Sequence, residues 1–182
     1  VGVGYLLTAT FSEPVKRRGA AERRMLVTID GEPAVGAWSW RTSTSATFRP
    51  RRGFWPANSR IALHSTLAGT VLARGGAKKG QEYVANKRST RTEAFRTARA
   101  FVAHVSNAKH QMVVKKNGKK VRTIPVSMGK PGFTTRSGIK VATEKYYVKR
   151  MRNEGLGYDV QSPYSVRITP TGEYIHGAPW AT

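Results

Sequence analysis

The stretch Val166-Arg-Ile-Thr-Pro-Thr-Gly-Glu-Tyr-Ile-His-Gly-Ala-Pro-Trp180 carries the plainest structural message in the chain. β-Branched Val166, Ile168 and Thr169 read as a strand, and Pro170, Thr171 and Gly172 as the turn that ends it. Tyr174 and Ile175 read as a return strand that finishes at His176. The Gly177-Ala178-Pro179 bend follows at once. A histidine at a strand end, before such a bend, points toward a cleft rather than a core layer. Two readings stand side by side: a buried imidazole bonded to a carbonyl, or a cleft-facing imidazole with a chemical role.

The sequence before this stretch is also strand-like. Gln111 to Lys115, then Asn117-Gly118, then Lys120 to Ile124 is the clearest hairpin, because Asn-Gly supplies the two positive-φ residues of a type I′ turn. Pro125 cannot donate to a ladder, so the return strand bends or lies at an edge there. Lys115, Lys116, Lys119 and Lys120 crowd the hairpin tip, either as a charged edge that discourages aggregation or as a contact for anionic polymer. Phe101 to Val105, Ile139 to Thr143 and Tyr146 to Val148 read as further strands, and Met151 to Gly157 as a glycine-containing loop.

The N-terminal half is a series of short strands. Gly4 to Phe11 comes first and Ser12-Glu-Pro-Val15 breaks it. Arg17 to Arg24 holds the one plausible helical turn or two. Met25 to Ile29 ends at Asp30-Gly31, a strong turn pair. Ala37-Trp-Ser-Trp40 alternates, with both Trp on one face; core or interdomain packing suits these rings better than a ligand platform. Thr47-Phe48-Arg49 and Ile61 to Ser65 are further strands, and Phe54-Trp55-Pro56 reads as a loop capping one end of a sandwich. Ala73 to Arg91 reads as a basic, glycine-rich loop without P-loop spacing. Thr92 to Arg99 reads as the strand that leaves the first domain.

Lysine and arginine number 32 against 10 acidic residues, a net charge of +22. Such a charge implies an anionic environment or partner. Nucleic acid is one candidate, yet the basic residues spread over both halves and no zinc-finger, homeodomain or RNA-binding signature is present, so no specific nucleic acid is expected. An anionic cell envelope fits equally well, as does a plain solvated basic surface. No run approaches the roughly 18 apolar residues of a spanning helix. Val1 to Ala9 lacks the basic lead-in of a signal peptide. His64, His104, His110 and His176 form no HExxH pair, and no metal or other cofactor is expected. Ser127 and Ser162 show no triad partners, which argues against a serine hydrolase.

Taken together, VRITPTGEYIHGAPW, the upstream Val121-Arg-Thr-Ile-Pro-Val-Ser-Met-Gly-Lys130 and the following Thr134-Thr-Arg-Ser-Gly138 resemble, in order and approximate spacing, the L,D-transpeptidase (YkuD-type) catalytic domain. The likeness runs from about Ala98 to Thr182. The order FSEPV, short helix, GAWSW, FRPRRGFWP, strand resembles the Ig-like module that precedes this domain in actinobacterial members. The expected fold is therefore mainly β: an Ig-like β-sandwich over residues 1–97, then a truncated, β-sandwich-like catalytic domain over residues 98–182.

The resemblance implies acyl transfer. A cysteine thiolate takes the acyl group of a peptidoglycan stem peptide, D-Ala leaves, and an amine of a second stem resolves the thioester into a cross-link. It implies His176 as an active-site histidine that binds substrate or assists the acceptor amine. Met151 is implied as a lid contact and Gly177 as part of the substrate-binding surface. Stem peptides, and anionic wall polymers as a further contact, are the implied partners, with carbapenem β-lactams as inhibitors of the complete enzyme. An extracytoplasmic location follows. Two departures stand out. The family's SHGC motif, with the nucleophile and a second histidine, has no match, because the chain contains no cysteine. Between Pro163 and Tyr164 the family carries several more residues, including a substrate-contacting tyrosine, so Tyr164 is assigned to the next strand instead. A chain without the nucleophile is expected to be inactive by itself, and a non-catalytic, wall-polymer-binding β protein is the alternative.

Overall fold

The computed structural model describes the chain except residues 76–79, 130, 131, 133, 134 and 180–182, and the side chain of Leu156. Lys130, Thr134 and Trp180 of the motifs above therefore lie outside the described residues, as does the centre of the glycine-rich loop. The chain divides into two compact units, residues 1–104 with 113–122, and residues 105–112 with 123–182.

The first unit holds β1 (Leu7–Thr10), helix α1 (Arg18–Glu22), β2 (Met25–Ile29), β3 (Glu32–Pro33), β4 (Gly36–Thr42), β5 (Ser45–Pro50), β6 (Arg60–Thr66), β7 (Val71–Arg74), β8 (Glu82–Val84) and β9 (Thr90–Arg96). Strands β1-β5-β4 form one sheet and β3-β2-β6-β9 the other. Alternation dictates the packing. Leu7 and Phe48 of the first sheet meet Met25, Val27, Ile61 and Leu63 of the second in one core, which Trp55 also enters. This is the expected sandwich. The three indole N–H groups involved all find acceptors: Trp38 on the Met25 carbonyl at 3.3 Å, Trp40 on Glu22 at 2.7 Å and Trp55 on the Tyr5 carbonyl at 2.7 Å. Trp38 and Trp40 pack against the core, as their alternation suggests. Asp30 and Gly31 take the positive φ angles of 51° and 97° that the turn after β2 needs.

One expectation fails here. Residues Ala73 to Arg91 are not a single loop, because β7 and β8 pair as a hairpin and a 3₁₀ turn (Lys87–Ser89) follows. Fully buried Leu72 and buried Ala73 and Ala85 anchor this segment, so a few apolar residues override a glycine- and lysine-rich composition.

Strands β10 (Phe101–Ser106), β11 (Gln111–Lys116) and β12 (Lys119–Pro125) form a three-stranded sheet with β12 at its edge, as Pro125 requires. Asn117 and Gly118 have φ angles of 47° and 82°. Asn117 also exchanges two bonds with Ala100: its own N–H donates to the Ala100 carbonyl at 2.8 Å, and its Oδ1 accepts from the Ala100 N–H at 2.9 Å.

In the second unit, β13 (Glu144–Asn153), β14 (Tyr158–Arg167) and β15 (Tyr174–Ile175) form an antiparallel sheet. Two sequence expectations are corrected. Residues Ile139 to Thr143 form no strand, and Ile139 is 71% exposed, with Gly138 at a φ of 134° just before it. Residues Met151 to Gly157 are not one loop: β13 continues through Asn153, a 3₁₀ turn spans Glu154–Leu156, and Gly157 at a φ of 65° reverses the chain into β14. Tyr164 lies in β14, as assigned.

Candidate active site

The hairpin of β14 and β15 positions the histidine. Val166 pairs with Ile175 and Arg167 with Tyr174. Between them, the Ile168 N–H donates to the Glu173 carbonyl at 2.9 Å, and the Thr169 hydroxyl accepts from the Glu173 N–H at 3.0 Å. Gly172 takes a φ of 96°, which only glycine adopts readily.

Three cations brace this turn. The Arg167 guanidinium donates to the carbonyls of Thr169 at 3.2 Å and Pro170 at 2.9 Å, and to Glu144 at 3.2 Å. Lys140 binds Glu173 at 2.8 Å, with both side chains largely covered, and Arg136 approaches the same carboxylate at 3.7 Å. The Glu173 carboxyl is consequently held below its ordinary 4.5, first by the Lys140 hydrogen bond. The Glu144 carboxyl is also lowered, first by the hydroxyl of Tyr146 that donates to it and then by Arg167. The Tyr146 phenol is raised from 10.0 for the same reason.

Beyond β15 the chain folds against Pro163. The Gly177 N–H donates to the Pro163 carbonyl at 2.8 Å. A Cβ at position 177 would lie 3.1 Å from Pro163 Cγ and 3.4 Å from its carbonyl oxygen, so this approach favours glycine. His176 is exposed, and its Nδ1–H donates to the Gly177 carbonyl at 2.9 Å. The carbonyl partner expected of a buried imidazole is thus present, but the ring is at the surface. With Nδ1 as donor, the neutral ring presents Nε2 as its acceptor nitrogen, the form a proton-accepting or hydrogen-bond-accepting role needs.

The structure brings His176 and Gly177 together against Pro163. Met151 lies further along the same sheet. It pairs with Val160, three residues along β14 from the Pro163 that seats Gly177, or about 10 Å of extended chain. The hairpin end around Met151 is held by Arg150, whose guanidinium grips Asp159 at 2.8 and 2.5 Å and holds that carboxyl low.

Other features beside Pro163 escape a reading of the sequence. Ser162 and Ser165 are fully buried. The Ser165 hydroxyl donates to the Ser162 carbonyl at 3.0 Å, whereas Ser162 Oγ is buried without a hydrogen-bond partner. Tyr164 between them takes a φ of 50°, a strained conformation for an aromatic residue, and its exposed ring meets Tyr147 edge to face at 5.2 Å. The Ser-Pro pair and its adjoining tyrosine were the available signal, but strain and an orphaned hydroxyl have no sequence signature. Of the other histidines, His64 is bonded to the Thr28 and Thr92 hydroxyls, both at 3.1 Å. Among the described residues no group of histidine, aspartate or glutamate is arranged to hold a metal ion.

Comparison with known proteins converges on the same reading. The profile described as "Bacterial Ig domain" matches residues 1–71, and that described as "L,D-transpeptidase catalytic domain" matches residues 100–182. Two relatives from Mycobacterium tuberculosis (strain ATCC 25618 / H37Rv) match along the whole chain. L,D-transpeptidase 1 is 29% identical and the chain covers 65% of its length; the probable L,D-transpeptidase 3 is 30% identical and the chain covers 68% of it. A solved structure of the transpeptidase LdtMt1 in complex with imipenem superposes with a TM-score of 0.71 at 29% identity, over all of this chain and 76% of that one. The chain thus spans about two thirds of these relatives. From the sandwich, the His176 hairpin and these matches along the whole of this chain, it follows that the chain belongs to the L,D-transpeptidase family.

Proposed function

We propose that the protein carrying this chain is a peptidoglycan L,D-transpeptidase that works outside the cytoplasmic membrane in cell-wall biogenesis and the maintenance of cell shape. The observation that carries the reading is the His176-Gly177 bend seated on Pro163, within the segment that matches the family's catalytic domain. In the proposed reaction a thiolate adds to the carbonyl that precedes the terminal D-Ala of a donor stem. The C–N bond breaks, D-Ala leaves as the amine after taking a proton, and a thioester remains. An amine of an acceptor stem then adds to the thioester, loses its proton and expels the thiolate, which closes the cross-link. No residue of this chain is a cysteine, so the thiol is not among these 182 residues.

What the chain contributes is positioning. The exposed His176 imidazole, whose Nδ1 donates to the Gly177 carbonyl, is the proposed contact for a substrate N–H or for the acceptor amine. Met151 and Gly177 are the proposed substrate contacts. Wall polymers are suitable further partners for a chain of net charge +22, and carbapenems are the proposed inhibitors of the complete protein. No helix among the described residues is long and apolar enough to cross a membrane.

The test is incubation of the full natural polypeptide with disaccharide-tetrapeptides. The expected result is a cross-linked dimer and one D-Ala released per link, with His176→Ala slowing the reaction by about 10²-fold or more. Retention of the protein on sedimented peptidoglycan with no D-Ala released would instead support the binding-protein alternative.

A further inference from the structure

The first unit carries a depression of about 330 Å³ beside α1 and the start of β7, lined by Arg17, Arg23, Arg24, Gly69, Thr70 and Val71. We propose that this pocket binds a phosphate group, carried by an envelope polymer or a lipid headgroup.

The scaffold under the arginines is fixed. Ala21 of α1 and Leu72 of β7 are fully buried. The N–H groups of Lys16 and Arg17 donate to the Leu72 carbonyl at 3.0 and 2.8 Å, and the Arg24 carbonyl accepts from the Thr66 N–H at 2.9 Å. Main-chain positions are thereby set for three guanidinium groups around one concavity. Their own charges are not neutralised by the protein: among the described ion pairs, none involves Arg17, Arg23 or Arg24. The acid nearest in sequence, Glu22, does not line the depression and accepts the Trp40 indole N–H at 2.7 Å. Arg18 also lies outside it, with its guanidinium over the Trp40 ring at 5.2 Å. Within the wall, Thr70 Oγ1 is buried without a hydrogen-bond partner.

Three uncompensated guanidinium groups repel one another, and an anion at their centre relieves that cost. Each guanidinium presents a planar fork of donors that matches two oxygens at a time. A phosphate presents more oxygens and more negative charge to several forks than a carboxylate, which has two oxygens and one charge. The volume exceeds that of a bare phosphate, since a water's share of liquid is about 30 Å³, so a small esterified group also fits. The high overall charge makes unspecific anion attraction the competing explanation, and charge-matched variants separate the two.

The experiment is calorimetric titration of the full chain, at low ionic strength, with inorganic phosphate and then with glycerophosphoglycerol, followed by sedimentation with phosphatidylglycerol vesicles. It compares the wild type with Arg17→Gln/Arg23→Gln/Arg24→Gln and with Arg49→Gln/Arg51→Gln/Arg52→Gln, which removes the same charge at exposed positions elsewhere. Circular dichroism verifies that each variant is folded, and single Arg23→Gln substitutes if the triple variant is not. The proposal expects saturable one-to-one phosphate binding, weakened about tenfold or more by the pocket substitutions and about twofold or less by the control. Competition of vesicle binding by the soluble diester identifies a polymer-type diester as a sufficient ligand; vesicle binding that needs the pocket arginines but resists the diester identifies the headgroup at a membrane. Equal weakening in the two variants, or non-saturating binding, overturns the proposal.

Discussion

Replacing Gly177 by alanine probes the seat of the candidate active site. The new methyl would stand 3.1 Å from Pro163 Cγ and 3.4 Å from the Pro163 carbonyl. Ordinary carbon contacts begin near 3.5 Å, so the loop must withdraw by a few tenths of an ångström. Withdrawal stretches the 2.8 Å hydrogen bond from the residue 177 N–H, and Pro163 has little freedom to follow because its ring fixes φ. A weakened hydrogen bond costs about 1 kcal/mol, and overpacking costs about 1–3 kcal/mol where the site cannot relax. A local loss of about 1–3 kcal/mol corresponds to roughly 5- to 150-fold faster amide exchange at residue 177. Native-state hydrogen exchange by NMR gives this number, and the His176 imidazole resonances should shift because Nδ1 is bonded to the carbonyl of the same residue. Exchange within about twofold of wild type, with unmoved imidazole resonances, would refute the claim that Pro163 seats this bend.

Other perturbations have equally definite outcomes. Asn117→Ala removes the acceptor for the Ala100 N–H and leaves alanine at a φ of 47°, so denaturant unfolding should show a loss of about 2 kcal/mol. Asn117→Gly should recover the conformational part of that loss but not the hydrogen bond. Ile61→Ala empties a fully buried position in the sandwich and should cost about 2–5 kcal/mol, seen as a lower Tm. The Glu173 carboxyl, lowered by Lys140, contributes stability that is present above its ordinary 4.5 and is lost as pH falls through its depressed folded value. The stability difference between wild type and Lys140→Met should therefore be present at neutral pH and fade below about pH 4.5 in urea titrations.

The parts of this fold that could be read in advance share a local cause. Asn117-Gly118 and Asp30-Gly31 demand positive φ angles, and both occur where hairpins turn. Trp38 and Trp40 alternate with polar residues and pack their shared face on the core. The turn at Pro170 to Gly172 places His176 at the end of a two-residue strand, as its residues imply. The misreadings have a tertiary cause. Ile139 to Thr143 has the composition of a strand, yet none forms there; its last residue reaches the sheet edge, where the Thr143 N–H donates to the Arg167 carbonyl at 2.9 Å, and β13 begins only at Glu144. The glycine-rich sequence between β7 and β8 hid a hairpin that Leu72 and Ala85 anchor through burial. At the site, Tyr164 and Ser162 gave no warning of strain or of an orphaned hydroxyl, since both are properties of the folded backbone and its burial, not of residue type.

Intact-mass spectrometry of the full natural polypeptide, before and after addition of a carbapenem, tests the central claim most directly. The account predicts a one-to-one covalent adduct that forms on a thiol, is blocked by prior alkylation, and forms more slowly in the Gly177→Ala and His176→Ala variants. An unchanged mass after prolonged exposure, for a folded polypeptide, would contradict the assignment of L,D-transpeptidase activity to the protein built around this chain.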